Sequence, residues 1–362
     1  MKLFIPGPIS VPQSTMDAMQ KEMIGHRGKE FAEIFGACAK GLQKVLYTNN
    51  RVLISTSSGS GLMEGAIRNL VNENVLVCSC GAFGKKWFDI AKSTGKNVDL
   101  FEAEAGKGFR ASELEKKLAQ SGKKYEAICV THNETSTGVT NHLDELAPVI
   151  KSHGALFLVD AVSSMGGAKI EVDKIGIDVC ITSSQKCFAL PPGLSFASVS
   201  EAALTKAKSV KGRGFYFDFV ELAKEYDTNQ TPYTPAVGLF FGLKERLEVM
   251  EKEGIENVFN RHAALASETQ KWAKSNGLEL FAEENYRSNT VSCILNTKKV
   301  NLEEVKKSVK ARGYVMDAGY RKLNDELIKS GKPNTFRIPH MGNLTVEELR
   351  KYLGVLAEEM KL

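Results

Sequence analysis

Apolar runs of strand length alternate with amphipathic stretches through the first two thirds of this chain, and that alternation narrows the folds open to it. The runs cover residues 52–55, 75–80, 125–131, 155–160, 178–183 and 194–200. Between them, residues 61–71, 84–94, 111–120 and 143–152 follow helical patterns. A βαβα order of this kind builds a mostly parallel sheet with helices on both faces. From Pro235 the pattern changes. Residues 237–253 place Leu239, Phe240, Leu243, Leu247 and Met250 near helical spacing, Gly254 interrupts, and a second helical stretch covers 255–276. Strands at 290–295 and 335–338 then alternate with helices at 302–312 and 346–360, and 319–334 reads as a polar loop. The expected organisation is an N-terminal arm over 1–14, a large domain over 15–245 and a smaller α+β domain over 246–362.

Ligands of parallel sheets bind at the carboxyl ends of the strands. Two charged residues fall there. The run 155–160 ends in Asp160, and Lys186 follows the run 178–183 through Ser184-Gln185. A lysine at the mouth of a buried strand is poorly solvated, which favours its neutral, nucleophilic form. An acid ending an apolar strand must find a partner or bear the cost of desolvation. Together they are what a pyridoxal phosphate site needs: the acid holds the pyridinium proton and the lysine forms the Schiff base.

Other strand ends support this reading. Thr56-Ser57-Ser58-Gly59-Ser60-Gly61 follows a strand and opens a helix. Small residues let backbone N–H groups approach an anion, hydroxyls add donors, and the helix N-terminus favours negative charge. As an isolated motif it is a serine N-cap; beside Asp160 and Lys186 it reads as a phosphate cup. It is neither of the glycine-rich nucleotide motifs. Phe83, in Gly81-Ala82-Phe83-Gly84, is placed to stack on a planar ring. Thr131 to Gly138 is a dense polar loop after another strand, where turn chemistry and ligand contacts look alike. Arg337 lies within an apolar strand, and its fork suits a carboxylate bidentately.

Composition excludes several classes. The net charge of +5 is spread among nearly as many acids, with no basic stripe interleaved with aromatics, so nucleic acid is not an expected partner. Seven cysteines lie mostly in strand-like runs and read as reduced, packed thiols of a cytoplasmic protein. Cys78 and Cys80 have no second pair at zinc-ribbon spacing, so no metal is expected. No apolar run approaches the roughly 18 residues of a membrane span, and the N-terminus does not read as a signal peptide.

At this point the residues resemble a family. Asn133-Glu134-Thr135-Ser136-Thr137-Gly138, Val159-Asp160-Ala161-Val162-Ser163-Ser164-Met165-Gly166-Gly167 and Ser184-Gln185-Lys186 followed by Pro191-Pro192-Gly193 are similar to class V aminotransferases. The branch is the alanine–glyoxylate/serine–pyruvate one, with archaeal-type phosphoserine and aspartate aminotransferases. Pro6-Gly7-Pro8 with Val11-Pro12, and Gly25-His26-Arg27, resemble the same branch. The resemblance implies an α/β, fold-type I transferase with a mostly parallel seven-stranded sheet in a large cofactor-binding domain, plus a smaller C-terminal α+β domain. It implies Lys186 as Schiff-base lysine and proton carrier, Asp160 on the pyridine nitrogen and Val162 beneath the ring. Phe83 is implied to stack on the ring, where many relatives have tryptophan. Ser58, Gly59, Ser60 and Gln185 are expected at the phosphate and Thr135 near the ring hydroxyl. Thr234 is expected to reach the phosphate of the other subunit of a homodimer, while Thr231 stands where some relatives carry tyrosine. Arg337, Gly7 and His26 are expected at the substrate. The implied reaction moves an amino group between alanine or serine and glyoxylate or pyruvate; phosphoserine with 2-oxoglutarate is the alternative. Gln185 and Cys187 around the lysine argue against a cysteine desulfurase or lyase. The presence of both Lys186 and Asp160 argues against a non-catalytic PLP-binding protein.

Overall fold

The apolar runs pair into one seven-stranded sheet in the computed structural model, which describes all 362 residues. Across the sheet the order is Arg51–Ser55, Ser195–Val199, Val179–Ser183, Leu156–Asp160, Ala127–Thr131, Asn74–Ser79 and Asn97–Glu102. Only Ser195–Val199 runs antiparallel to its neighbours. The central strands are largely apolar because both faces are covered. Successive residues point to opposite sides: Ile128 and Val130 enter an apolar cluster on one face, Ala127 and Cys129 a second cluster on the other. Helix Lys29–Leu46 contributes Phe31, Phe35, Cys38 and Leu42 to the first. Helix Gly59–Leu70 contributes Leu62, Met63, Ala66 and Ile67 to the second.

A third cluster lies in the C-terminal part, around an antiparallel sheet of Glu279–Leu280, Val291–Leu295 and Thr335–Pro339. The first residues of the chain join it. Lys2–Phe4 pairs in parallel with Tyr314–Met316, and Phe4 stacks on Tyr352 with ring centroids 3.8 Å apart. The N-terminus is thereby tied to the C-terminal cluster through a separate two-stranded sheet, and the chain then passes Ile5 and Pro6 on its way to the large sheet. No helix is long and apolar enough to cross a membrane. All seven cysteines are buried and free.

Several elements differ from the sequence expectation. The stretch 319–334 is not simply a polar loop, because Arg321–Lys329 is a helix. It buries only Leu323, Asn324 and Leu327, and so small an apolar face does not stand out among polar neighbours. The edge strand Asn97–Glu102 is half-exposed and lacks a continuous apolar run. The helix after the first strand begins at Gly59 rather than Gly61, which makes Ser58 its N-cap.

Three histidines are buried and neutral in the fold. His262 donates from Nδ1 to the Val258 carbonyl (2.7 Å) and accepts at Nε2 from the Gly342 amide (3.0 Å). His340 lies between the Asn289 carbonyl and Ser292 Oγ, each 3.0 Å away, and His132 Nδ1 meets Ser164 Oγ at 2.7 Å. Burial pushes His132 and His262 down to about 4 and His340 to about 3, against an ordinary 6.5. Protons therefore bind the unfolded chain first as pH falls. The stability these histidines contribute is complete above pH 6.5 and is lost progressively toward pH 4 for His132 and His262 and toward pH 3 for His340. Chemical denaturation across that window is expected to show a steep fall that His340→Gln partly removes; a flat profile would contradict the assignment.

Candidate active site

Asp160 and Lys186 are carried by neighbouring parallel strands, Leu156–Asp160 and Val179–Ser183. Both are buried, at 4% and 8% exposure. They do not pair with each other. Asp160 Oδ1 accepts from the Val162 amide at 2.9 Å, while Lys186 Nζ donates to the Pro6 carbonyl. Burial pushes the Asp160 carboxyl up to about 6 against the pull of the Val162 amide, and the Glu134 carboxylate adds to the rise. Burial, helped by the charge of Arg337, pushes the Lys186 amine down to about 8. Gly7 closes over that amine. Its φ is +105°, and a Cβ there would lie 2.5 Å from Lys186 Nζ, so only glycine fits.

Around the pair the strand ends supply small and hydroxylic groups. Ser58 caps helix Gly59–Leu70 by position, yet its side chain makes no capping bond. A Cβ on Gly59 would lie 2.7 Å from Val162 Cγ2, so the turn and the residue after Asp160 are in close contact. Ser60 Oγ accepts from Lys86 Nζ at 3.3 Å. Ser183 Oγ and Gln185 Oε1 are buried without a partner in the chain, which leaves them free to bond a polar group brought to the site.

Phe83 stands half-buried in the first turn of helix Ala82–Ser93. That turn is held by Glu134, which the sequence placed in a polar loop without giving it a role. One oxygen of Glu134 accepts from the Phe83 and Gly84 amides (2.9 and 3.0 Å), the other from the Ser136 amide and hydroxyl (3.0 and 2.6 Å). Burial raises the Glu134 carboxyl above the ordinary carboxylate range, and the Ser136 hydroxyl with the Gly84, Ser136 and Phe83 amides pulls against that rise. Lys86, one turn after Phe83, lies 5.0 Å from the Phe83 ring centroid. Its spacing from Phe83 was the signal that could have found it.

Arg337 comes from the C-terminal sheet. Its Nε and one terminal nitrogen bind the Asp317 carboxylate (2.8 and 2.9 Å), and the other terminal nitrogen donates to the Thr135 carbonyl at 3.0 Å. Thr135 is thus brought in through its backbone and is buried. His26 and Thr234 are not joined to this group. His26 is half-buried on the turn before helix Lys29–Leu46. Its neighbour Arg27 binds the Thr231 and Pro232 carbonyls (2.5 and 3.1 Å) and so anchors the segment on which Thr234 is exposed. That segment crosses the serine–glycine turn, where the Ala236 amide donates to Thr56 Oγ1 at 3.2 Å.

The sequence and the fold both match known proteins. A family model described as Aminotransferase class-V matches residues 3–350. An uncharacterised aminotransferase of Methanocaldococcus jannaschii is 37% identical, over 99% of this chain and 92% of its own length. A serine–glyoxylate aminotransferase of Methylorubrum extorquens is 33% identical, over 99% and 90%. The crystal structure of an alanine–glyoxylate aminotransferase from Nostoc superposes with a TM-score of 0.91 at 25% identity, covering 99% of this chain and 94% of that one.

Removing the Glu134 carboxylate leaves three amides and a hydroxyl without their acceptor. Glu134→Ala is expected to lower stability by on the order of 3 kcal/mol in chemical denaturation. An unchanged unfolding midpoint would show that Glu134 does not hold the Phe83 turn.

Proposed function

The chain belongs to the class-V aminotransferases, and from that premise we propose that it exchanges the amino group of serine or alanine with glyoxylate or pyruvate, using pyridoxal phosphate. The observation that carries this reading is the unpaired burial of Asp160 and Lys186 on adjacent strand ends. The residues fit the cofactor. The partnerless Ser183 Oγ and Gln185 Oε1, and the Ser58 side chain that makes no capping bond, lie in the turns around that pair, and Lys86 adds a cation at Ser60. Ser58, Gly59, Ser60, Gln185 and Lys86 would hold the phosphate, Asp160 the ring nitrogen, Thr135 the ring hydroxyl, and Val162 and Phe83 the ring faces. When bound, the cofactor draws off the electron pair left on the amino acid's α-carbon as its proton departs.

The chain's own groups do the rest. Lys186 Nζ, neutral above about pH 8, is the base that takes the α-proton and the acid that returns it. Asp160, with its carboxyl near 6, is ionised at neutral pH and holds a proton on the ring nitrogen by opposing charge. Arg337 binds the substrate carboxylate with its remaining N–H groups and so fixes the α-carbon before Lys186. Gly7 and Pro6 exclude water from the amine. In this scheme residues 15–245 hold the cofactor, 246–362 the substrate carboxylate, and the arm 1–14 closes the site.

Two further features belong to the proposal. The active unit is a homodimer in which Thr234 reaches the phosphate in a second copy. Beside Thr234, Tyr216 stacks on Tyr233 at 4.8 Å, and Phe215 is 79% exposed, a group of rings that a second copy would cover. Seven buried free thiols suit the cytoplasm. A cysteine desulfurase needs an accessible thiol, and Cys187 is packed against the Ser163 carbonyl at 3.8 Å.

Lys186→Ala is expected to lower kcat for the serine–glyoxylate exchange by about a thousandfold or more; retention of full activity would refute the assignment. The cofactor-free protein offers a second check. Its capture of added cofactor, followed by absorbance, is expected to rise with pH and level off above about pH 8. A rate still rising toward 10.5 would show an ordinary lysine instead.

A further inference from the structure

Arg337 is held by three hydrogen bonds, and the carboxylate that takes two of them is itself held. A guanidinium carries five N–H donors. Asp317 takes the one on Nε and one on a terminal nitrogen, and the Thr135 carbonyl takes one on the other terminal nitrogen. What remains is one N–H on each terminal nitrogen, open to a carboxylate.

Asp317 is not free to leave. Its Oδ1 also accepts from the Gly319 amide at 2.9 Å, and its carbonyl accepts from the Arg337 amide at 3.3 Å. Helix Arg321–Lys329 clamps this turn through Asn324. The Asn324 side chain donates to the Ala318 and Thr335 carbonyls (3.0 and 2.9 Å) and accepts from the Thr335 amide at 2.7 Å. The turn is too close to the strand of Arg337 for any side chain at Gly319, where a Cβ would lie 2.2 Å from the Thr335 carbonyl oxygen. A carboxylate that competed with substrate would need room to swing aside; this one is fixed by backbone and side chain alike.

We propose that Asp317 is a positioning residue for carboxylate recognition, orienting Arg337 so that its two unused N–H groups are left for the substrate. The inference rests on the reading of Arg337 as the carboxylate-binding residue. It also assigns a purpose to helix Arg321–Lys329, which sets Asp317 against the arginine.

The test is calorimetric titration of the enzyme as purified with propanoate, which carries the carboxylate but no amine, together with serine kinetics. Asp317→Ala is expected to weaken propanoate binding and raise the serine KM by about ten- to a hundredfold, with kcat within about threefold of the parent. Asp317→Asn is expected to fall between, because its amide oxygen still accepts from Nε–H; it carries the test if the alanine variant does not fold. Unchanged or tighter propanoate binding in these variants overturns the proposal, tighter binding making Asp317 a competitor of the substrate. Arg337→Ala separates the two claims. If it binds propanoate as the parent does, the carboxylate assignment fails and the proposal with it. If it alone weakens binding, only the role of Asp317 falls.

Discussion

The constraint on which the structure depends is the burial of one amine and one carboxyl at neighbouring strand ends without letting them pair. Paired, Lys186 and Asp160 would neutralise each other and need nothing further. Held apart, with only the Pro6 carbonyl and the Val162 amide as partners, each is driven by desolvation toward its neutral form. The amine becomes a nucleophile near neutral pH. The carboxyl remains one that a cation can ionise fully. Such a pair suits the proposed cofactor, pyridoxal phosphate, which has an electrophilic carbon at one end of its ring and a basic nitrogen at the other.

Around that pair, two of the groups proposed to touch ligand are fixed by groups that do not. Glu134 organises the helix turn that presents Phe83, and Asp317 holds the guanidinium of Arg337. The parallel pairing of Lys2–Phe4 with Tyr314–Met316 brings Pro6 and Gly7 over Lys186 and ends beside Asp317. One two-stranded ribbon thus sets both the wall against the amine and the anchor of the arginine. Preorganised charge in a buried site keeps its alignment when substrate arrives, which is where such sites gain their rate.

Much of this was legible in the sequence because the central strands are apolar on both faces and stop abruptly at polar residues. Asp160, Lys186 and the serine-glycine turn all lie at such stops. The half-exposed edge strand Asn97–Glu102 and the helix Arg321–Lys329 bury too little to leave that signature. Glu134 was visible as a residue but not as a helix anchor, since its partners Phe83 and Gly84 lie about fifty positions upstream. Asp317 depends on a three-residue strand whose partner is the chain's own beginning, a pairing no local pattern announces. His26 and Thr234 rested on resemblance alone, and within a single chain neither is drawn to the Lys186–Asp160 pair.

The most direct measurement is single-turnover spectroscopy of the cofactor-loaded enzyme against serine, alanine, aspartate, glutamate and phosphoserine. The account predicts that serine or alanine converts the bound cofactor rapidly to its amine form. Cofactor that stays unconverted with every donor, or that responds to phosphoserine alone, would contradict it.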